Sequence, residues 1–176
     1  VLARESRVCG YDKQLDRGSL TSIALQQPVA SDPRLARAIV LIGRELERAG
    51  DEAKEIARFA LSLDQAYEGD PVLAVGRQLR HMAALSGSML RNAVRAADEM
   101  DPGLARSVLE HDAELDAEFA AALRLVMSYV LQDHRFLRPT IDTIFALKGL
   151  ERIGDHATNI AEQVLYMMGR EEVTSQ

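Results

Sequence analysis

Tryptophan is absent from this 176-residue chain, aromatic residues make up 5% of it, and there is one cysteine, Cys9. Few aromatics beside abundant Ala, Leu and Arg disfavour sheet and favour helix. A lone cysteine excludes an internal disulfide framework and fits a reducing cytoplasm. No apolar run reaches the roughly 18 residues a bilayer span needs, and the best stretch, Phe119 to Leu131, is broken by Arg124. Basic character is lacking too. The net charge is −6 and no clustered Lys/Arg stripe stands out, which argues against nucleic acid as a partner.

The marks of common catalytic sites are also missing. No Glu-x-x-His occurs, so the di-metal carboxylate site of ferritin-like bundles has no sequence counterpart here. There is no Gly-x-Ser-x-Gly and no Gly-rich phosphate loop, and Cys9 has no histidine near it in sequence. His81, His111, His134 and His156 share no spacing and are expected to be exposed or interfacial.

What is present is a globular composition, 47% hydrophobic and 27% charged, and a segment that occurs twice. Glu47-Arg-Ala-Gly-Asp-Glu-Ala-Lys-Glu-Ile-Ala57 returns as Glu151-Arg-Ile-Gly-Asp-His-Ala-Thr-Asn-Ile-Ala161, at a constant offset of 104. Such a repeat implies two related structural units, each with an acidic pair one helical turn apart.

Three Asp-Pro pairs, at Asp32, Asp70 and Asp101, each read as an N-cap followed by proline at the first helical position. Pro28 and Pro139 mark two further breaks and Gly169 a C-terminal stop. The result is five long helices, near 1–26, 33–68, 71–100, 102–133 and 139–168. Short linkers make neighbours antiparallel. The expected fold is all-α: two pseudo-symmetric three-helix bundles, 1–69 and 70–176, with the first helix of the first bundle absent from this sequence.

The last helix places Leu147, Leu150, Ile153, Ala157, Ile160, Ala161 and Val164 on one face, bordered by a stripe of Glu151, Asp155 and Asn159. In the preceding helix Asp112 and Asp116 fall within the apolar stripe of Val108, Leu109, Leu115, Phe119, Leu123 and Val126. Carboxylates aimed at a partner helix are costly unless paired, protonated or metal-bound. Four of them from two helices suit Fe, Mn, Mg or Zn. Salt bridges with neighbouring arginines are the plain alternative, and a metal-dependent enzyme or metal store on a carboxylate bundle is another.

Through Glu151-Arg-Ile-Gly-Asp-His-Ala-Thr-Asn-Ile-Ala-Glu162, then Val164 and Tyr166, the chain resembles the PhoU family of phosphate transport regulators. Ala24-Leu-Gln-Gln-Pro-Val-Ala-Ser-Asp32 is similar to that family's loop between its second and third helices. The resemblance implies a cytoplasmic, homodimeric negative regulator. It would link the ATPase subunit of a phosphate ABC transporter to a sensor histidine kinase and meet the membrane only through those partners. It also implies metal ligands at Glu47 with Asp51, Asp112 with Asp116, and Glu151 with Asp155. The fourth pair departs from the pattern. Matching Val1-Leu2 to Val108-Leu109 sets Glu5 opposite Asp112 and Cys9 opposite Asp116, an offset of 107. A thiolate there favours Zn or Fe over Mg. An offset of 100 would use Asp12 and Asp16 instead; the first frame needs no gap up to Gln26-Gln27-Pro28.

Overall fold

A computed structural model describes residues 33–62, 75–133 and 137–169. They form four helices: α1 (Pro33–Ser62), α2 (Gly76–Glu99), α3 (Pro102–Gln132) and α4 (Leu137–Met167). The expected helix at 1–26, with Glu5 and Cys9, lies outside the described residues, as does the Asp70-Pro71 junction.

Helix ends follow local chemistry. Asp101 accepts hydrogen bonds from the Gly103 and Leu104 amides at 2.8 and 3.2 Å, with Pro102 behind it, so the expected N-cap is present. The turn before it needs a left-handed residue and uses Met100, at φ 52°. The Met100 and Asp101 amides then both donate to the Ala96 carbonyl. Gly169, at φ 63°, closes α4 as expected. Pro139 does not open that helix: α4 starts at Leu137. Proline is harmless there because the first four helical N–H groups have no intrahelical acceptor to lose.

The helices α2, α3 and α4 pack on one another as a three-helix bundle, and α1 lies along α4. All seven residues expected on the apolar face of α4 are buried. Six of them, all but Ile153, join Met82, Met89 and Ala93 of α2, and Val108, Leu115 and Val126 of α3, in one apolar cluster. Gly154 permits the tightest approach. A Cβ there would collide with Leu115 Cδ2, so α3 seats a leucine directly on the α4 backbone. No helix among the described residues is long and apolar enough to cross a membrane.

Candidate functional site

Two polar arrangements break the apolar packing. The first is an acidic band across α3 and α4. Asp112 is half-buried, and its carboxyl is pushed above the usual aspartate value, first by burial and then by the charges of Asp116, Asp155, Glu151 and Glu162. The other three carboxylates expected in the second half therefore all bear on Asp112. Glu162 joins them; it lies seven residues, two turns, beyond Asp155 on the same stripe.

The members differ in setting. Glu151 is buried, and Lys148 Nζ donates to both of its oxygens at 2.5 Å. Asp155 is half-buried. Asp116 is exposed, although the sequence places it within the apolar stripe of α3; its position lies just outside the arc that Leu115 and Val126 bury. Among the described residues no three His, Cys, Asp or Glu side chains are grouped closely enough to hold a metal ion. The donor chemistry still fits a hard cation: all are carboxylate oxygens, and they raise the proton affinity of Asp112. Lys148 is the competitor that any cation must displace from Glu151.

In the first repeat, Glu47 is half-buried and Asp51 exposed on α1. The residues expected opposite them, Glu5 and Cys9, lie outside the described residues.

The second arrangement is the seam between α1 and α4. Glu45 Oε2 accepts from His156 Nδ1 at 2.8 Å and from Asn159 Nδ2 at 2.9 Å, and Glu45 Oε1 accepts from Arg48 at 3.0 Å. Burial pushes the Glu45 carboxyl up, but the bonds from Asn159 and His156, with the charges of His156 and Arg48, leave it below the usual value. An ionised carboxylate can only accept, so Nδ1 of His156 carries the hydrogen. The opposite ring atom, Nε2, is buried without a hydrogen-bond partner among the described residues. Two turns along, Glu52 pairs with Arg152 at 2.8 Å, and two turns further Phe59 stacks on Phe145 with centroids 5.6 Å apart. Seven steps forward on α1 match seven steps back on α4, as an antiparallel seam with heptad spacing requires. At its far end Arg37 lies 5.9 Å from the centroid of the Tyr166 ring.

None of Glu45, Glu52 or Glu162 was singled out as a site by the sequence. The spacing of Glu45, Glu52 and Phe59 at successive heptads was the available signal. Of the histidines, His81 and His111 are exposed, His156 is buried in the seam, and His134 lies outside the described residues.

The fold and the site define an all-α helical-bundle class, built on a repeated acidic motif with carboxylates gathered between two helices and a polar seam beside them. A family model described as PhoU domain matches residues 1–60 and 79–164. A Caulobacter vibrioides protein described as a phosphate-specific transport system accessory protein PhoU homolog is 38% identical over 176 residues, covering 100% of this chain and 75% of that relative. A Pseudomonas aeruginosa relative of the same description is 36% identical over 93% of the chain and 66% of its own length. The crystal structure of PhoU from Pseudomonas aeruginosa matches with a TM-score of 0.87 at 34% identity, over 96% of this chain and 79% of that one. The phosphate transport system regulatory protein PhoU from Streptococcus pneumoniae shares the fold, with a TM-score of 0.83 at 24% identity, over 98% of this chain and 79% of that one. The chain belongs to the PhoU family, whose members are accessory and regulatory proteins of phosphate transport.

Proposed function

We propose that this protein is a negative regulator of phosphate uptake and of the phosphate-starvation response. It works in the cytoplasm between the ATPase subunit of a phosphate ABC transporter and a sensor histidine kinase, as a homodimer and without catalytic turnover of its own. The observation that carries the reading is 38% identity along the whole chain to a relative described as an accessory protein of phosphate-specific transport. Two repeats, 1–69 and 70–176, are the units of the design.

Metal is part of the same proposal. Asp112, Asp116, Glu151 and Asp155 would hold a cation in the second repeat, and Glu47, Asp51, Glu5 and Cys9 in the first. Iron, zinc, manganese or magnesium would supply positive charge that lets neighbouring carboxylates stay ionised together. The chain's own residues do the rest. With a cation bound the acidic band would join α3 to α4, while Glu45, His156 and Asn159 join α4 to α1. Together they fix the surface offered to partners.

The test is a phosphatase reporter in the protein's own host, grown in phosphate-rich medium. Deletion of the gene is expected to make expression constitutive. Repression that persists in a strain lacking this gene and every other member of the family refutes the regulator reading.

A further inference from the structure

Folding gathers cations that the sequence scatters. The buried residues of α2 are Met82, Ser86, Met89, Ala93 and Ala96. At about 100° per residue, the direction opposite them belongs to Arg80, Ala84, Gly87 and Arg91, flanked by Arg77 and Arg95. All four arginines are exposed, and from Arg77 to Ala97 the helix has no acidic residue. Arg95 pairs with Glu99 at 3.2 Å. Arg77, Arg80 and Arg91 have no ion pair among the described residues.

Two of these side chains follow the ordinary helical direction, back toward the N-terminus. A Cβ added at Gly76 would lie 3.6 Å from Arg80 Nη1, and one at Gly87 would lie 3.3 Å from Arg91 Nη1. Each guanidinium therefore lies back along the helix, over a glycine one turn earlier, rather than on a carboxylate. Between them Ala83 and Ala84 are exposed and leave a shallow saddle.

We propose that this outer face of α2 is a docking surface for an acidic helix of a protein partner; it rests on the transporter-partner reading above, which makes the ATPase subunit the protein to test. Guanidinium forks suit carboxylates better than ammonium groups do. Arg80 and Arg91 are eleven residues apart, about 16 Å along the axis, which spans three turns of a docked helix. The small residues between them let that helix come to about the usual 8–10 Å axial separation. A bilayer is the poorer occupant, because lipid-bound helices need large apolar side chains beside their cations and Val94, 40% exposed, is the large apolar residue here. The neighbouring helix sharpens the choice. The exposed Glu110, Glu114 and Asp116 make α3 repel an acidic partner and steer it to α2, although Glu118 of α3 lies 3.8 Å from His81 beside the ridge.

The experiment titrates the full chain against the purified ATPase subunit from the same organism, at low and high salt. It compares wild type with Arg80→Glu/Arg91→Glu and with Arg124→Glu/Arg138→Glu, which changes charge equally at exposed positions elsewhere. An Arg80→Gln/Arg91→Gln variant guards against a folding defect in the reversal. The α2 reversal is expected to weaken binding tenfold or more and to flatten its salt dependence, the neutral pair to weaken it less, and the control at most twofold. Equal loss in the control would make the effect one of net charge and overturn the proposal. Unchanged binding by the α2 variants would overturn it while leaving the transporter reading intact. No binding by wild type would remove the transporter reading itself, and the docking helix with it. Binding of wild type to phosphatidylglycerol vesicles, lost in the α2 reversal, would overturn the protein occupant in favour of a bilayer.

Discussion

Replacing Asp112 with asparagine should change the sign of its effect with the cation supply. Without cation, the side chain is a half-buried carboxylate facing Asp116, Asp155, Glu151 and Glu162. A like-charge pair at i, i+4 costs roughly 0.2–0.5 kcal/mol, and charges across the helix pair add similar amounts. Removing the charge should relieve about 1 kcal/mol, or about 2–4 °C in Tm for a chain of this size. With saturating cation, wild type gains about 2.7 kcal/mol at one hundred times Kd, and the variant, short of a ligand, gains much less. Thermal unfolding in chelator and with added Mn, Mg, Zn or Fe reads both arms. The pH dependence checks the cause. The folded carboxyl binds its proton more tightly than the unfolded one, so its contribution is fully present below the ordinary aspartate range and is lost as pH rises through the elevated value. In chelator, wild type should lose stability over that window and Asp112→Asn should not. A lower Tm for the variant in chelator would refute the repulsion argument, and an equal cation response in both would remove Asp112 from the ligands.

Three further expectations follow from packing. Gly154→Ala should destabilise by up to about 2 kcal/mol by urea titration, because forcing Leu115 aside costs about 1–3 kcal/mol against roughly 1 kcal/mol of improved helix propensity; Leu115→Ala in the same chain should cancel the clash. Met100→Gly should raise Tm by about 2–4 °C, since a left-handed non-glycine residue costs roughly 1 kcal/mol. Glu45→Gln should cost about 1–3 kcal/mol by leaving the His156 and Arg48 donors without their carboxylate, and a change within 0.3 kcal/mol would show that the seam gains nothing from it.

Much of this was legible because helix punctuation is local. The capping aspartate at Asp101, the stop at Gly169 and the apolar face from Leu147 to Val164 each depend on residues within a turn or two of one another. Pro139 misled because proline signals a break whether it stands before the first turn or within it. Asp116 misled because the helical arc that Leu115 and Val126 bury is narrower than an apolar stripe drawn on the sequence suggests. The pairing in the seam was hidden for a different reason. Heptad spacing puts Glu45, Glu52 and Phe59 on one face of α1, but Glu45 and His156 are 111 residues apart and nothing local to either says that the two helices meet. The arginine ridge of α2 needed the burial pattern, since cations at 77, 80, 91 and 95 are not clustered in the chain.

The duplicated motif makes sense once each of its positions is placed. Around α4, Glu151 is held by Lys148, Arg152 reaches Glu52 of α1, Gly154 admits Leu115 of α3, Asp155 faces the acidic band and His156 holds Glu45. Five consecutive or near-consecutive residues thus address the neighbouring α1 and α3 as well as the site, because 100° steps carry successive side chains right round the helix. That explains why the second copy engages its neighbours along more than one turn. It also makes the acidic band and the seam mechanically adjacent: Asp155 and His156 share a peptide bond. A cation that draws Asp155 toward α3 must move the same stretch of α4 that grips α1. The coupling is testable as a double-mutant cycle between Asp112→Asn and Glu45→Gln. Stabilities that add in chelator but not with cation would show the band and the seam acting through α4, whereas additivity in both would show two independent devices on one helix.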